Sequence, residues 1–264
     1  MTQRLTRRLT LAGGAAAGLM APWLASAGVG RILPRGIILR NEVAMGGERA
    51  WRQIQSLESV VRIVEQGAVV LGRYRASKRG RARIDVFAGA TRVFSEGVDE
   101  DGSWQWPGGA SAPEASPAAA KGILERGIDL NLNSLRGLAD AGATFAAAPE
   151  AQAGNERYVA LKRVLKDGHV DYLYFDPQDW LVKRQRDVRA IHPAVSDTKK
   201  PLENQYDDYR LVQGVRTPFQ SRQVDLTTGV VLQTTTVLRQ AYNLAEQRLD
   251  LNRAYVPGAP PVGG

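Results

Sequence analysis

Short segments in which apolar and polar residues alternate make up most of the chain. In one of them Ala82, Ile84 and Val86 alternate with charged residues, the period of two expected of a strand with one apolar face. Turn signals such as Asp101-Gly102 separate the segments at intervals of roughly 8–12 residues, the spacing of hairpin-linked antiparallel strands. The pattern predicts strands at residues 59–66, 68–76, 81–87, 91–99, 103–106, 144–148, 157–165, 169–175, 181–188, 203–212, 215–224 and 230–241.

A few segments show helical spacing of their apolar residues instead. In the first, Val43, Trp51 and Ile54 form an apolar stripe of the kind that packs on a sheet. The other two follow a Pro-, Gly- and Ala-rich connection at residues 107–120, which we expect to be flexible. The predicted helices are residues 41–57, 118–128 and 133–141.

These elements predict an α+β fold dominated by one large antiparallel sheet of about 11–12 strands. A twisted sheet of this width curls or splits. Because the few helices are enough to cover only one face, we expect a curled sheet, an incomplete β-barrel, with the helices over its concave face.

The N-terminus carries the signals of an exported protein. Arg7 and Arg8 stand in a TRRLTL sequence that resembles the twin-arginine export motif. A weakly apolar stretch follows and ends in Ala-Ser-Ala at residues 25–27, a small-x-small cleavage site. The alternative is a retained transmembrane helix, but such a span needs about 20 strongly apolar residues. We therefore expect twin-arginine export, cleavage after residue 27 and a periplasmic location.

The predicted organisation of the chain is correspondingly simple. It consists of a signal peptide at residues 1–27, a linker at 28–40, one domain at 41–256 and a disordered tail at 257–264.

Composition narrows the chemistry. The formal net charge is +8, and removal of the first 27 residues, with Arg4, Arg7 and Arg8, leaves +5. No recognition-helix or single-strand-binding signature accompanies this excess, so we expect no nucleic-acid partner. The chain has no cysteine, which excludes disulfides, thiol chemistry, cysteine metal sites and a lipid-anchoring cysteine.

No catalytic constellation is visible either. The sequence has no nucleophile elbow, metal motif or phosphate loop. His169 and Asp171 lie two apart on a predicted strand, so they share a face, and we expect them to form a surface pair. His192 precedes Pro193 in a predicted loop. We therefore expect no enzyme activity, no metal site and no cofactor.

Three stretches resemble the LolA/LolB lipoprotein-carrier fold and its relatives among outer-membrane lipoprotein-sorting proteins. AMGGERAW at residues 44–51 is similar to the family's opening helix, which leads into the first strand. YLYFDP at residues 172–177 is similar to a hairpin of the family, and YDDYR at residues 206–210, followed by Gly214 and Pro218, to a later one. The three motifs occur in the family's order and at its spacings. The resemblance covers roughly residues 40–255.

The resemblance implies a periplasmic carrier for lipids, lipoprotein acyl chains or another hydrophobic ligand, and we expect the chain to be a monomer. It supplies no catalytic residue. An apolar hollow on the concave face would shield acyl chains from water, at about 0.8 kcal/mol for each buried methylene. Helices over its mouth would act as a lid.

Large apolar side chains on the predicted helices and strands are the candidates for the ligand-binding lining. The same side chains would equally fill a solid core without a cavity, and the sequence leaves both alternatives open. The candidates are Trp51, Ile54, Phe94, Trp104, Trp106, Ile123, Leu124, Leu135 and Leu138.

The alternative function is an RseB-like envelope sensor that binds an inner- or outer-membrane protein. The basic strand at residues 183–186 and the cluster of Lys78, Arg79, Arg81 and Arg83 are the candidate partner surface. A stable protein partner without bound lipid would favour this alternative, whereas lipid or acylated protein cargo would favour the carrier.

Overall fold

The computed structural model describes residues 33–153, 155–191 and 198–258. Within them an antiparallel sheet of thirteen strands is accompanied by five helices. The predicted signal peptide, His192 and residues 259–264 of the predicted tail lie outside the described residues.

The strands are β1 Ser56–Glu65, β2 Ala68–Ser77, β3 Arg81–Ala88, β4 Thr91–Asp99, β5 Gly102–Pro107, β6 Glu114–Ala115, β7 Thr144–Ala153, β8 Glu156–Val164, β9 Val170–Phe175, β10 Val182–Arg189, β11 Lys200–Val212, β12 Val215–Asp225 and β13 Val231–Tyr242. The helices are α1 Pro34–Ala44, α2 Glu48–Gln53, α3 Ala118–Leu132, α4 Leu135–Asp140 and α5 Glu246–Leu249. All twelve predicted strands are confirmed, with ends that differ by up to five residues, and only β6 was not predicted.

The strands follow the order β6-β5-β4-β3-β2-β1-β13-β12-β11-β10-β9-β8-β7. Nearly all neighbours are consecutive in sequence, and β1 pairs with β13 to join the two halves. The free edges are β6 and β7, so the sheet does not close into a barrel. The segment that connects edge strand β6 to edge strand β7 contains α3 and α4. Both helices lie over the concave face of the sheet.

The strand register separates the two faces of the first half of the sheet. Ala76, Ala82 and Val98 are cross-strand neighbours, and they pack against Ile128 and Leu132 of α3 in the main apolar cluster. Because successive strand residues point to opposite faces, the residues between them face away from α3.

The predicted helix at residues 41–57 is wrong in its bounds, because the segment contains two helices followed by a strand. α1 begins at Pro34, inside the predicted linker, and ends at Ala44. Gly46 and Gly47 then take φ angles of 113° and 85°, a backbone conformation that ends the helix. A side chain at Gly46 would come within 2.0 Å of the Gly214 carbonyl oxygen, so the close approach of β12 requires glycine here.

The face opposite α3 is also covered. Arg75 and Arg83 have no exposed side-chain surface, and both form ion pairs with the equally buried Asp85. The carbonyl oxygens of residues 249–255 accept further hydrogen bonds from the two guanidinium groups. The chain after β13 therefore closes over a buried charge network, which the sequence pattern did not predict.

Candidate functional site

A hollow of about 570 Å³ lies on the concave face, between the sheet and the helices α3 and α4. Its lining comes from both halves of the sheet, from β1 and β2 and from β8–β13. We call this space the hollow.

One side of the hollow is apolar. Its side chains come from the helices and from strands β1, β2 and β13. Trp51 is 92% buried there, and its indole Nε1–H has no hydrogen-bond partner among the described residues. A buried donor without a partner costs roughly 1–3 kcal/mol, unless a ligand or water accepts from it. The apolar lining residues on this side are Met45, Trp51, Leu57, Val61, Tyr74, Ile123, Leu130, Leu135, Val237 and Tyr242.

Gly127 keeps this side open. It lies in the interior of α3 and lines the hollow, and a methyl group placed on it would meet only the Tyr74 hydroxyl, at 3.8 Å. Glycine in a helix interior costs roughly 0.5–1 kcal/mol relative to alanine. No steric conflict demands the glycine, so its effect at this position is to leave volume unfilled.

The other side, on β8 to β11, is mainly polar, with Leu173 and Val182 also among its lining residues. Arg163 donates from Nε to Asp171 at 2.9 Å, and Gln185 donates from Nε2 to the same carboxylate at 2.6 Å. The Tyr206 hydroxyl donates in turn to Gln185 at 2.6 Å, and burial raises the pKa of Tyr206 to about 12. Tyr206 therefore stays a neutral donor at neutral pH.

A second polar cluster adjoins the first. Asp187 accepts from Arg189 Nε at 2.9 Å and lies 3.2 Å from His169 Nε2. Arg189 also donates to Asn204 Oδ1 at 3.3 Å. The hollow is therefore amphipathic, with an apolar side under α3 and a hydrogen-bonding side on β8–β11.

The prediction of a surface pair at His169 and Asp171 is wrong. Both side chains lie on the concave face, where Asp171 is fully buried against Arg163 and His169 contacts Asp187 instead. In the part of the chain that the structure describes, no group of three or more His, Asp and Glu residues is arranged to hold a metal ion.

The structure brings together three of the nine candidate lining residues, since Trp51, Ile123 and Leu135 border the hollow. Ile54 belongs to the adjoining packed cluster, and Leu124 packs against that cluster. Leu138 borders a separate space of about 50 Å³. Phe94 is half-buried on β4 and does not border the hollow.

Trp104 and Trp106 share a face, as the sequence predicts, but it is the face away from the hollow. Trp104 pairs with Gly97, and Gly97 pairs with Arg83, so the indole lies among the buried arginines. The Arg83 guanidinium lies 5.1 Å from the Trp104 ring centre. The position of these residues is explained by the C-terminal cover, which makes the second face a favourable place for apolar rings.

The polar side of the hollow was missed by sequence reasoning. Gln185 and Asp187 stand in a run of polar residues at 183–187, and Arg163 follows Lys162, so both segments are typical of a solvent-facing surface. Only the curl of the sheet turns this surface inward, and no local pattern reports that curl.

Helix α4 is tied to the helices at the mouth of the hollow. Arg136 Nη1 lies 2.9 Å from the Glu48 carboxylate and 3.5 Å from that of Glu42. The Ser134 hydroxyl donates to Glu42 at 3.3 Å and also caps α4 by accepting from Gly137 N. These contacts join α1, α2 and α4 as one cover.

Part of the charge of the candidate basic partner surface is paired within the fold. On the face away from the hollow, Arg184 and Arg186 both donate at 2.7 Å to Glu203, which is 2% exposed. Lys183 pairs with Asp179 at 2.7 Å. In the second cluster Arg83 is buried, so it is not part of any exposed surface.

Glu203 makes stability depend on pH. Burial opposes its ionisation, but hydrogen bonds from Gln205, Arg186 and Arg184 hold its pKa below the usual value. The carboxylate thus stabilises the fold at neutral pH, and this stabilisation is lost as the pH falls through the lowered pKa. We expect Glu203→Gln to lower the free energy of unfolding by about 1–3 kcal/mol at pH 7. Urea unfolding at pH 7 and pH 3 should show the gap between the two proteins closing in acid, and an equal gap at both pH values would contradict the prediction.

Among the described residues, no helix is both long and apolar enough to span a bilayer.

No protein-family model matches the sequence, and no curated protein matches it. Several solved structures share the fold. A LolA superfamily protein from Nitrosomonas europaea has 11% identity and a TM-score of 0.54 over 85% of this chain and 100% of its own. A DUF1329 family protein from Desulfovibrio piger has 12% identity and a TM-score of 0.51 over 82% of this chain and 98% of its own.

A third is an outer membrane lipoprotein-sorting protein domain from Vibrio parahaemolyticus, with 10% identity and a TM-score of 0.51 over 81% of this chain and 94% of its own. At these identities the similarity establishes the fold. The chain therefore has a LolA-like fold, as the sequence motifs implied.

Proposed function

We propose that this chain binds a hydrophobic ligand with one or more acyl chains in the hollow and carries it through the periplasm. The observation that carries the proposal is the unfilled apolar side of the hollow beneath Gly127. The unpartnered Trp51 N–H supports it, because a ligand oxygen can accept from that group.

The dimensions of the hollow are suitable for such a ligand. Small-molecule sites are clefts of roughly 300–1,000 Å³ with a mainly apolar lining and a few polar groups. The hollow, at about 570 Å³, falls within this range. Each methylene that it removes from water contributes about 0.8 kcal/mol, so one medium-length chain supplies useful affinity without a chemical step.

The LolA-like fold supports the same function by analogy, because the Vibrio parahaemolyticus domain is described as a lipoprotein-sorting protein. The twin-arginine sequence at residues 6–11 supports the periplasmic location. Binding and release, rather than catalysis, is the activity that we assign to the hollow.

The direct test is binding of N-phenyl-1-naphthylamine, a neutral dye that fluoresces in apolar surroundings. We expect saturable binding of one dye molecule per chain, and displacement by lauric acid. Native mass spectrometry of protein purified from the periplasm should show bound lipid. If neither dye nor lipid binds, the hollow does not accept hydrophobic ligands and the proposal fails, whereas a stable protein partner without lipid would favour the sensor alternative.

A further inference from the structure

Among the charged side chains of the hollow, the basic ones are more exposed to its interior than their acidic partners. Arg189 and His169 expose 28% and 13% of their side chains, whereas the Asp187 between them exposes 4%. Arg163 also borders the hollow, and its partner Asp171 is completely buried behind it. Asp187 also borders the hollow, but a molecule there meets far more of the Arg189 and His169 side chains than of either carboxylate.

This difference in exposure makes the electrostatic potential next to Arg189 positive. The Coulomb energy falls with distance and rises in a low-dielectric site, so an anion beside the more exposed Arg189 is attracted more strongly than it is repelled by the less exposed carboxylates. Arginine also presents a planar set of donors that suits carboxylate and phosphate oxygens. The neutral Tyr206 hydroxyl and the Asn204 amide add hydrogen-bonding groups on the same side.

The apolar and basic sides belong to one continuous space. Trp51, Ile123 and Leu130 border the same hollow as His169, Arg163 and Arg189. A ligand that satisfies both sides must carry a hydrocarbon tail and a polar head on one molecule.

We infer that the ligand is an anionic amphiphile, with its carboxylate or phosphate head against Arg189, His169 and Arg163 and its tail beneath α3. This inference rests on the proposed function and names the class of ligand. The acids serve to hold the bases in place, since Asp187 orients Arg189 and His169, and Asp171 orients Arg163.

The test compares amphiphiles that share a twelve-carbon chain and differ in their heads. Dodecanoate and dodecyl phosphate should displace the bound dye at about tenfold lower concentration than dodecanol, which corresponds to one charge-assisted hydrogen bond. Arg189→Gln should reduce this preference, measured as the ratio of the dodecanol and dodecanoate concentrations that displace half of the dye. Arg186→Gln is the matched control, because Arg186 lies on the same strand and faces away from the hollow.

His169→Gln provides a second variant should Arg189→Gln fail to fold, and thermal unfolding of each variant checks this. Equal displacement by dodecanoate and dodecanol, with the dye still bound, would overturn the inference and leave the proposed function intact. Tight binding of inorganic phosphate alone, measured by calorimetry, would overturn it in favour of a free-anion site. Absence of dye binding would instead overturn the proposed function itself.

Discussion

Replacing Asp85 by asparagine is expected to destabilise the fold by about 3–5 kcal/mol, the largest loss that we predict for a single substitution. Asp85 is fully buried and accepts hydrogen bonds from Arg83, Arg75 and Ser95. Both guanidinium groups lack any exposed side-chain surface. Without the carboxylate, Arg83 would remain in the interior with no ion-pair partner among the described residues, and Arg75 with only Asp250 at 3.8 Å.

The effect should extend to the C-terminal cover. Arg75 Nη1 donates to the Leu249 carbonyl at 2.9 Å, and Arg83 donates to the carbonyls of Asn252 at 2.6 Å and Tyr255 at 2.8 Å. If the two guanidinium groups move towards solvent after Asp85→Asn, their hydrogen bonds to the carbonyl oxygens of residues 249–255 break before the sheet unfolds. Hydrogen exchange should therefore rise in residues 249–255 before it rises in β1 or β13.

Urea unfolding at pH 7 measures the loss, with Asp208→Asn as control. Asp208 forms an exposed ion pair with Arg210 and has a φ of 50°, which asparagine tolerates, so the control should leave the unfolding midpoint unchanged. A loss for Asp85→Asn no larger than that of the control would contradict our account of the network.

The network and the hollow share one strand. Arg75 lies between Tyr74, which borders the hollow, and Ala76, which packs against α3. The contacts that hold Arg75 on the face away from the hollow therefore also hold its neighbours Tyr74 and Ala76 in place on the concave face. The buried charges on one face thus keep the binding surface on the other face in a defined shape.

The strand pattern could be predicted because each strand carries its own period of two and its own turn residues. The segment at residues 91–99 was predicted with the bounds that β4 has. The alternation could not decide which face the helices cover. Trp104 lies on the face away from the hollow because that face has a second cover, which comes from residues 249–255, far along the chain.

The candidate site was predictable on its apolar side and not on its polar side. Trp51, Ile123 and Leu135 follow helical spacing beside a sheet, which is a local signal. Arg163, His169 and Arg189 meet only after β8, β9 and β10 pair and the sheet curls. The amphipathic character of the hollow is therefore a property of topology rather than of any one segment.

Replacing Gly127 by phenylalanine is expected to abolish ligand binding without unfolding the protein, the largest functional effect that we predict. The new ring would extend into the apolar side of the hollow, where only the Tyr74 hydroxyl lies within 4 Å of the added Cβ. If the ring takes the space of about four methylenes, the ligand loses about 3 kcal/mol, or more than a hundredfold in affinity. Dye titration measures this loss directly.

Two companion variants separate occupation of the hollow from a general change in α3. Gly122→Phe places the same ring one and a half turns earlier in α3, where nothing lies within 4 Å of the added Cβ and the side chain does not border the hollow, so dye binding should persist. Gly127→Ala should raise the free energy of unfolding by about 0.5–1 kcal/mol through helix propensity and weaken binding only slightly. Dye affinity that survives Gly127→Phe would place the ligand outside the hollow. In that case the glycine would lower the stability of α3 without serving the binding site that we assign to it.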